Sequence, residues 1–427
     1  MITHNQANRY FFVAMKKLAL FLGICLPTIV LAQNNNAPSS DDPHDIKITG
    51  YLQTQYQSAQ SAGINSFSGG NFSENSDNRF MIRRGRLKID RVDKYSNIVF
   101  QIDATQDGVQ LMDAFIQLHH PDYKSLNFTA GLFNRPFGYS IVYSSGYRDF
   151  PERARVFQTL MPRERDFGAM LTYNPQTIAN FLTVDLAVVN GSGKNAKDYD
   201  NRKDLIGNIG FKFDNLANNK LHLGFGGSFY KGWVRNNTDT YFTTTSNGYT
   251  AHTNASFVGK YINRSYLGAN LQLEYEGSFG LTTLKTEYIA GTQPGVAADG
   301  PDKLMGPYAS QSFGGQPLGD LYERKFNGYF IWFTQQIANS KFTVIAAYDA
   351  YDPNRKFAGK TIGTEGNFTN AGDIKYNTLG YGIAYNVNKQ IKLTLYNEHI
   401  TNESTSLAGF TKDLKDDVFT ARLQYRW

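Results

Sequence analysis

The chain has a single cysteine, Cys25, set in an apolar run near its start, so the body holds no disulfide and no thiolate metal site. Tryptophan is scarce, with 3 in 427 residues. The histidines beyond the N-terminal region are His44, His119, His120, His222, His252 and His399, and none has metal-ligand spacing. No metal or cofactor is expected. No long helical period occurs after residue 44, and a mean hydropathy of −0.42 is too polar for a helical membrane protein. That value still permits a membrane β-barrel, where only alternate residues touch lipid. Charge bias is small as well, with 43 Lys and Arg against 37 Asp and Glu. A balance this even does not point to a nucleic-acid partner.

The N-terminus carries a targeting pattern. "MKKLALFLGICLPTIVLAQ", residues 15–33, has a basic start, an apolar stretch and small residues ahead of Gln33. This predicts a signal peptide over 1–32 cut after Ala32, with 1–14 an upstream start-site extension. Cleavage removes Arg9, Lys16 and Lys17 and no acid, leaving 40 cations against 37 acids. "LGIC", ending at Cys25, resembles a lipoprotein signal, but Ile24 is large where a small residue is needed. Residues 33–44, "QNNNAPSSDDPH", read as a flexible lead-in.

What is abundant is aromatic: 27 Tyr and 31 Phe, bulky rings that suit a pleated surface. Period-two alternation recurs from residue 45 to the end. The predicted strands are 46–57, 79–92, 95–106, 111–120, 125–134, 167–174, 181–190, 205–214, 221–232, 264–276, 279–291, 325–336, 341–351, 376–387, 390–400 and 417–427. Short connectors alternate with long ones at 58–78, 135–166, 191–204, 233–263, 292–324, 352–375 and 401–416. About sixteen strands, short turns at one end and long loops at the other describe a transmembrane antiparallel β-barrel over 45–427. The competing reading is a soluble periplasmic β protein, which does not need this regularity. In the last strand Phe419, Ala421, Leu423, Tyr425 and Trp427 alternate with Thr420, Arg422, Gln424 and Arg426. A terminal aromatic of this kind resembles the signal read by outer-membrane assembly machinery.

"FMIRRGRLKID", 80–90, raises a question of facing. Arg84, Arg86 and Lys88 share one side at about 6 to 7 Å spacing, with Gly85, Leu87 and Ile89 on the other. Each cation facing lipid would cost about 2–4 kcal/mol at midplane, so the lumen is their side. Strict alternation, however, puts Phe80 and Ile82 on that same side. Further along, Met112 alternates in phase with Ala114, Ile116 and Leu118, against Asp113, Phe115, Gln117 and His119.

The sequence resembles the phosphate-selective porin O and P family in its Bacteroidetes form. The matching stretches are "IRRGRLKIDRVDKYSNIVFQID" (82–103), "AGLFNRPFGYS" (130–140), "RERDFGAMLTY" (163–173), "VVNGSG" (188–193), "EYIAG" (287–291), "YDAYDPN" (348–354) and the closing "YRW". The resemblance implies a sixteen-stranded homotrimeric porin in a Gram-negative outer membrane, with lipid and lipopolysaccharide around it. It also implies a long third loop folded into the lumen, where Arg and Lys guide anions.

Residues 135–166 are the expected constriction loop. The candidate lumen and constriction residues are Arg84, Arg86, Lys88, Arg135, Arg148, Arg153, Arg155, Arg163 and Arg165. Asp149, Glu152, Glu164 and Asp166 dilute the loop's charge, so at least half of its arginines are expected to tie it to the wall. Asp90, Asp103 and Asp113 balance the wall cations in the same way. "DYDNRKD" at 198–204 lacks the Gly and final Glu of a calcium loop, and "GSG" at 191–193 is turn chemistry. The functional expectation is passive diffusion of small hydrophilic solutes with a lean to anions such as phosphate. A non-selective porin, a saccharide channel, and a barrel enzyme or surface-interaction protein are the alternatives. No enzymatic chemistry is expected.

Overall fold

The computed structural model describes residues 46–120, 125–177, 179–298 and 316–427; the signal and lead-in expected over 1–44 lie outside the described residues. Sixteen strands close into one antiparallel barrel. In chain order the first nine wall strands are β1 (Ile46–Ala59), β2 (Asn78–Val92), β3 (Ser96–Thr105), β4 (Gly108–His119), β5 (Leu126–Asn134), β6 (Arg165–Tyr173), β7 (Leu182–Val189), β8 (Asp204–Leu216) and β9 (Leu221–Arg235). The other seven are β12 (Tyr261–Gly277), β13 (Gly280–Gly295), β14 (Leu321–Gln336), β15 (Phe342–Asp352), β16 (Tyr376–Asn386), β17 (Ile391–Asn402) and β18 (Val418–Arg426). β1 pairs with β18 from Tyr51 opposite Arg426 to Ala59 opposite Val418, which closes the ring. Each of the sixteen predicted windows overlaps one wall strand.

Two features depart from the sequence expectation. A hairpin of β10 (Thr240–Thr244) and β11 (Tyr249–Thr253) stands in the connection between β9 and β12, and β10 lies parallel to the start of β14. Its five-residue arms are too short to stand out within a long loop. The connection from β3 to β4 is only Gln106 and Asp107, although it belongs to the long-loop end.

Alternation explains the surface. Ile48, Phe100, Ile116, Leu267, Tyr381 and Leu423 are exposed on the outer side of their strands, while Gln53, Arg264, Thr420, Arg422 and Gln424 are buried on the inner side. Exposed aromatics cluster beside the short turns, with Tyr95, Tyr173, Phe279, Phe342 and Trp427 among them. An apolar outer band with rings at its edge is the surface that a bilayer covers. At the closure, Gly50 and Trp427 exchange backbone hydrogen bonds of 3.1 and 3.3 Å, and a Cβ on Gly50 would collide with the Trp427 ring.

The facing question in β2 is resolved by a β-bulge. Gln53 pairs with Arg84 and Thr54 with Ile82, so Arg83 is an extra residue. A bulge leaves one residue unpaired and shifts the phase of the strand. Phe80 and Ile82 therefore stay outside while Arg84 and Arg86 are buried inside. A second bulge sits on β4, where Gln101 pairs with Asp113 and Ile102 with Leu111. Met112 is its extra residue and is buried together with Asp113, which corrects the expected grouping of Met112 with the exposed Ile116 and Leu118.

The inner core is built by the loop between β5 and β6, residues 135–164, which carries the six-residue helix α1 (Arg155–Leu160). Its Phe137, Ile141, Phe150, Val156, Phe157 and Leu160 cluster with inner-face residues of β7 to β9, β12 to β15 and β17. Phe150 stacks on Trp332 with ring centroids 5.0 Å apart, and Phe157 meets Phe330 edge-on at 5.9 Å. That part of the lumen is therefore filled by apolar side chains. A separate apolar cluster, including Phe242, Tyr249, Phe357 and Phe410, ties the long loops together.

Candidate functional site

The loop enters the barrel at "RPFGYS". Gly138 has φ +60, a backbone conformation that favours glycine. Its amide donates to Ser228 Oγ at 2.8 Å, and the Tyr139 and Ser140 amides donate to Glu287 Oε2 at 3.2 and 2.8 Å. A Cβ on Gly138 would fall on the Glu287 carboxylate. At the other side of the lumen, Tyr51 Oη and Ser145 Oγ lie 2.6 Å apart, and Gln53 and Gln424 side-chain amides each donate at 3.0 Å to the Ser145 and Gly146 carbonyls. The loop is a strap fixed at both walls.

Glu152 carries the strongest of these attachments. Arg83 Nε reaches its Oε1 at 2.8 Å, Arg84 Nη2 its Oε2 at 2.7 Å, and Arg422 Nη2 its Oε1 at 3.0 Å. Burial favours the neutral acid, but the Arg83, Arg84 and Arg422 charges outweigh it and hold Glu152 well below the usual carboxylate range. Arg83 and Arg422 were not among the expected site residues. Arg422 was visible in the alternation of the last strand, whereas Arg83 reaches the lumen only through the bulge.

The nine expected residues divide by surroundings. Arg84 is buried against Glu152 and Gln53. Arg135 is buried against Asp166 at 2.9 Å. Arg148 is buried and donates to the Phe150 and Pro151 carbonyls at 3.1 and 3.2 Å. Burial, then the neighbouring Arg153, push its guanidinium well below its ordinary value. Arg163 bonds Gln110 at the long-loop end, and Arg155 lies between two aromatic rings there. The remaining four, Arg86, Lys88, Arg153 and Arg165, line a cavity of about 630 Å³ at the short-turn end.

That cavity is strongly cationic. Besides those four it takes in Lys47, Lys389 and Arg426, three cations the sequence reading did not single out, against the carboxylates Asp90 and Asp113. Some of this charge is balanced locally. Arg86 pairs with Asp103 at 3.0 Å, Lys88 with Asp90 at 2.7 Å, and Arg165 with both Asp113 at 2.8 Å and Glu164 at 2.9 Å. Arg153 pairs with Glu164 as well. With Asp103 and Glu164 counted beside Asp90 and Asp113, seven cations against four carboxylates still leave a positive lining, and low-dielectric walls focus its field. At the long-loop end Lys194 donates to Gln110 Oε1 and the Leu111 carbonyl, close to Arg163. Burial and then Arg163 lower its ammonium to about 8.

No family model matches the chain, and no curated protein sequence matches it. Solved structures do match its fold. The outer membrane channel DcaP of Acinetobacter baumannii superposes with a TM-score of 0.53 at 12% identity, over 91% of this chain and 99% of that one. The trimer form of OmpT of Vibrio cholerae gives 0.51 at 11% identity, over 90% and 100%. Salmonella typhi OmpF, in complex with daunomycin, gives 0.53 at 11% identity, over 91% and 99%. The chain thus has the closed sixteen-stranded barrel fold of these outer-membrane proteins.

Proposed function

We propose that the chain is an outer-membrane porin of a Gram-negative bacterium, a passive diffusion channel for small hydrophilic solutes that leans to anions. The observation that carries the lean is the cavity of about 630 Å³ with seven cations and two carboxylates on its lining. A cationic wall raises the local concentration of anions and lowers that of cations. Arginine takes phosphate or carboxylate bidentately, and lysine acts as a point charge. Phosphate as solute, membership of the phosphate-selective porin O and P family and assembly as a homotrimer follow the resemblance in the quoted stretches. The trimer form of the OmpT relative agrees with that assembly. Export with cleavage after Ala32 completes the reading.

The deciding experiment is a reversal potential measured across a KCl gradient in a planar bilayer, followed by replacement of chloride with phosphate on one side. Anion preference with phosphate permeating at least as well as chloride supports the full reading. Equal permeability of anions and cations would place the non-selective porin first.

A further inference from the structure

A second cavity, of about 220 Å³, opens at the long-loop end between the loop after β1, helix α1 and the loop before β18. Arg155, Tyr376 and Asp416 line it, all more than nine-tenths buried. The Arg155 guanidinium lies 4.5 Å from the Phe67 ring centroid and 3.8 Å from that of Tyr376. These rings hold it in place, and the Asp349 and Asp416 carboxylates lie within electrostatic reach of it. Among the described residues Arg155 makes no close ion-pair contact, and its Nε has no hydrogen-bond partner. Asp416 Oδ1 is also without a partner among the described residues. Two opposite buried charges therefore line one cavity and attract each other across it without direct contact.

A buried unpaired charge costs several kcal/mol, so the cavity contents have to answer both. The space is ample, since a cavity of about 150 Å³ already takes a benzene-sized guest. An anion would answer Arg155 and be repelled by Asp416. A neutral polyol would answer neither charge in full. We propose that this cavity binds a small zwitterion, an α-amino acid or a molecule of that size, with its carboxylate at Arg155 and its ammonium at Asp416. Ala62 and Lys415, at the cavity edge, are exposed and leave a route in from the long-loop side.

The test is calorimetric titration of the full barrel in detergent micelles with L-serine, lactate and ethanolamine. Serine should bind saturably, with lactate and ethanolamine each at least about tenfold weaker, the effect of losing one charged contact. Asp416→Asn should weaken serine about tenfold and spare lactate. Ala62→Trp, made at an exposed loop residue, should fill the cavity and abolish binding even if the Asp416 variant fails to fold. Absence of saturable serine binding to the parent chain, lactate binding as tightly as serine, or serine binding retained by Ala62→Trp would each overturn the proposal. Binding is read without any current, so failure here leaves the channel reading standing.

Discussion

Arg84 Nη2 lies 2.7 Å from Glu152 Oε2, so the wall and the tip of the internal strap meet in a buried ion pair. Arg83 and Arg422 share the same carboxylate. Removing one partner of such a group leaves uncompensated charge at a cost of about 3–5 kcal/mol. Glu152→Gln should lower the unfolding temperature in heat-modifiable gel migration and raise single-channel conductance as the strap loosens. Unchanged values for both would mean that the strap is held elsewhere. Because Glu152 is depressed below its unfolded value, its contribution is present above ordinary carboxylate pH and is lost only as pH falls through the folded value. The effect of Glu152→Gln on conductance should therefore be the same at pH 7 and pH 5.

The cavity lining predicts where selectivity resides. Lys47→Gln, Lys88→Gln and Arg426→Gln together remove three of its seven cations. The anion-to-cation permeability ratio should fall, most clearly at low salt, because the screening length shrinks to about 3 Å at 1 M. A ratio that does not move would show that these charges only balance nearby acids.

Lys194 predicts a pH dependence of opposite sign to an acid's. With its ammonium lowered to about 8, it is charged below that pH and neutral above it. Anion preference should decline as pH rises from 7 to 9, and Lys194→Gln should flatten the profile, as reversal potentials at each pH will show.

Gly138→Ala adds a methyl group at φ +60 and against the Glu287 carboxylate. It should break the amide contacts at the strap's first anchor and reduce the yield of heat-modifiable barrel. Assembly at the parent level would mean that Glu287 is free to move aside.

Facing can be tested on one strand. Leu271 lies on the outer side of β12 with the exposed Leu267, and Gln272 lies inside, bonded to Asn270 at 2.8 Å. Leu271→Arg should impair assembly by about 2–4 kcal/mol if near midplane, while Gln272→Arg should be tolerated. Equal tolerance would contradict the lipid-facing assignment.

Much of the wall was legible because it repeats one local rule. Alternation at Ile46, Ile48 and Leu52, or at Phe419, Leu423 and Tyr425, reports facing wherever pairing is regular. The rule fails at Arg83 and Met112, where a bulge changes phase without any residue type that announces it. The cavity was legible only in part. Arg86 and Lys88 advertise themselves on one strand, but Lys389 comes from a turn and Lys47 from another strand, and only closure of the ring brings them together. Nor does spacing show that Arg135 and Arg148 are internal braces, since their surroundings depend on how the strap crosses the lumen.

The bulge on β2 also sets a density of charge. A regular strand offers the lumen one side chain about every 6 to 7 Å, which limits how much positive charge a single strand can direct at one point. By lodging Arg83 beside Arg84, the bulge sends two consecutive guanidinium groups to the same carboxylate, with Phe80, Ile82 and Leu87 keeping to their own phase on either side. On β4 the same device buries Met112 beside Asp113, the partner of Arg165 at the far end of the strap. Both of these bulges are thus places where the strap is fastened, and the barrel concentrates its grip there while its outer surface stays uninterrupted.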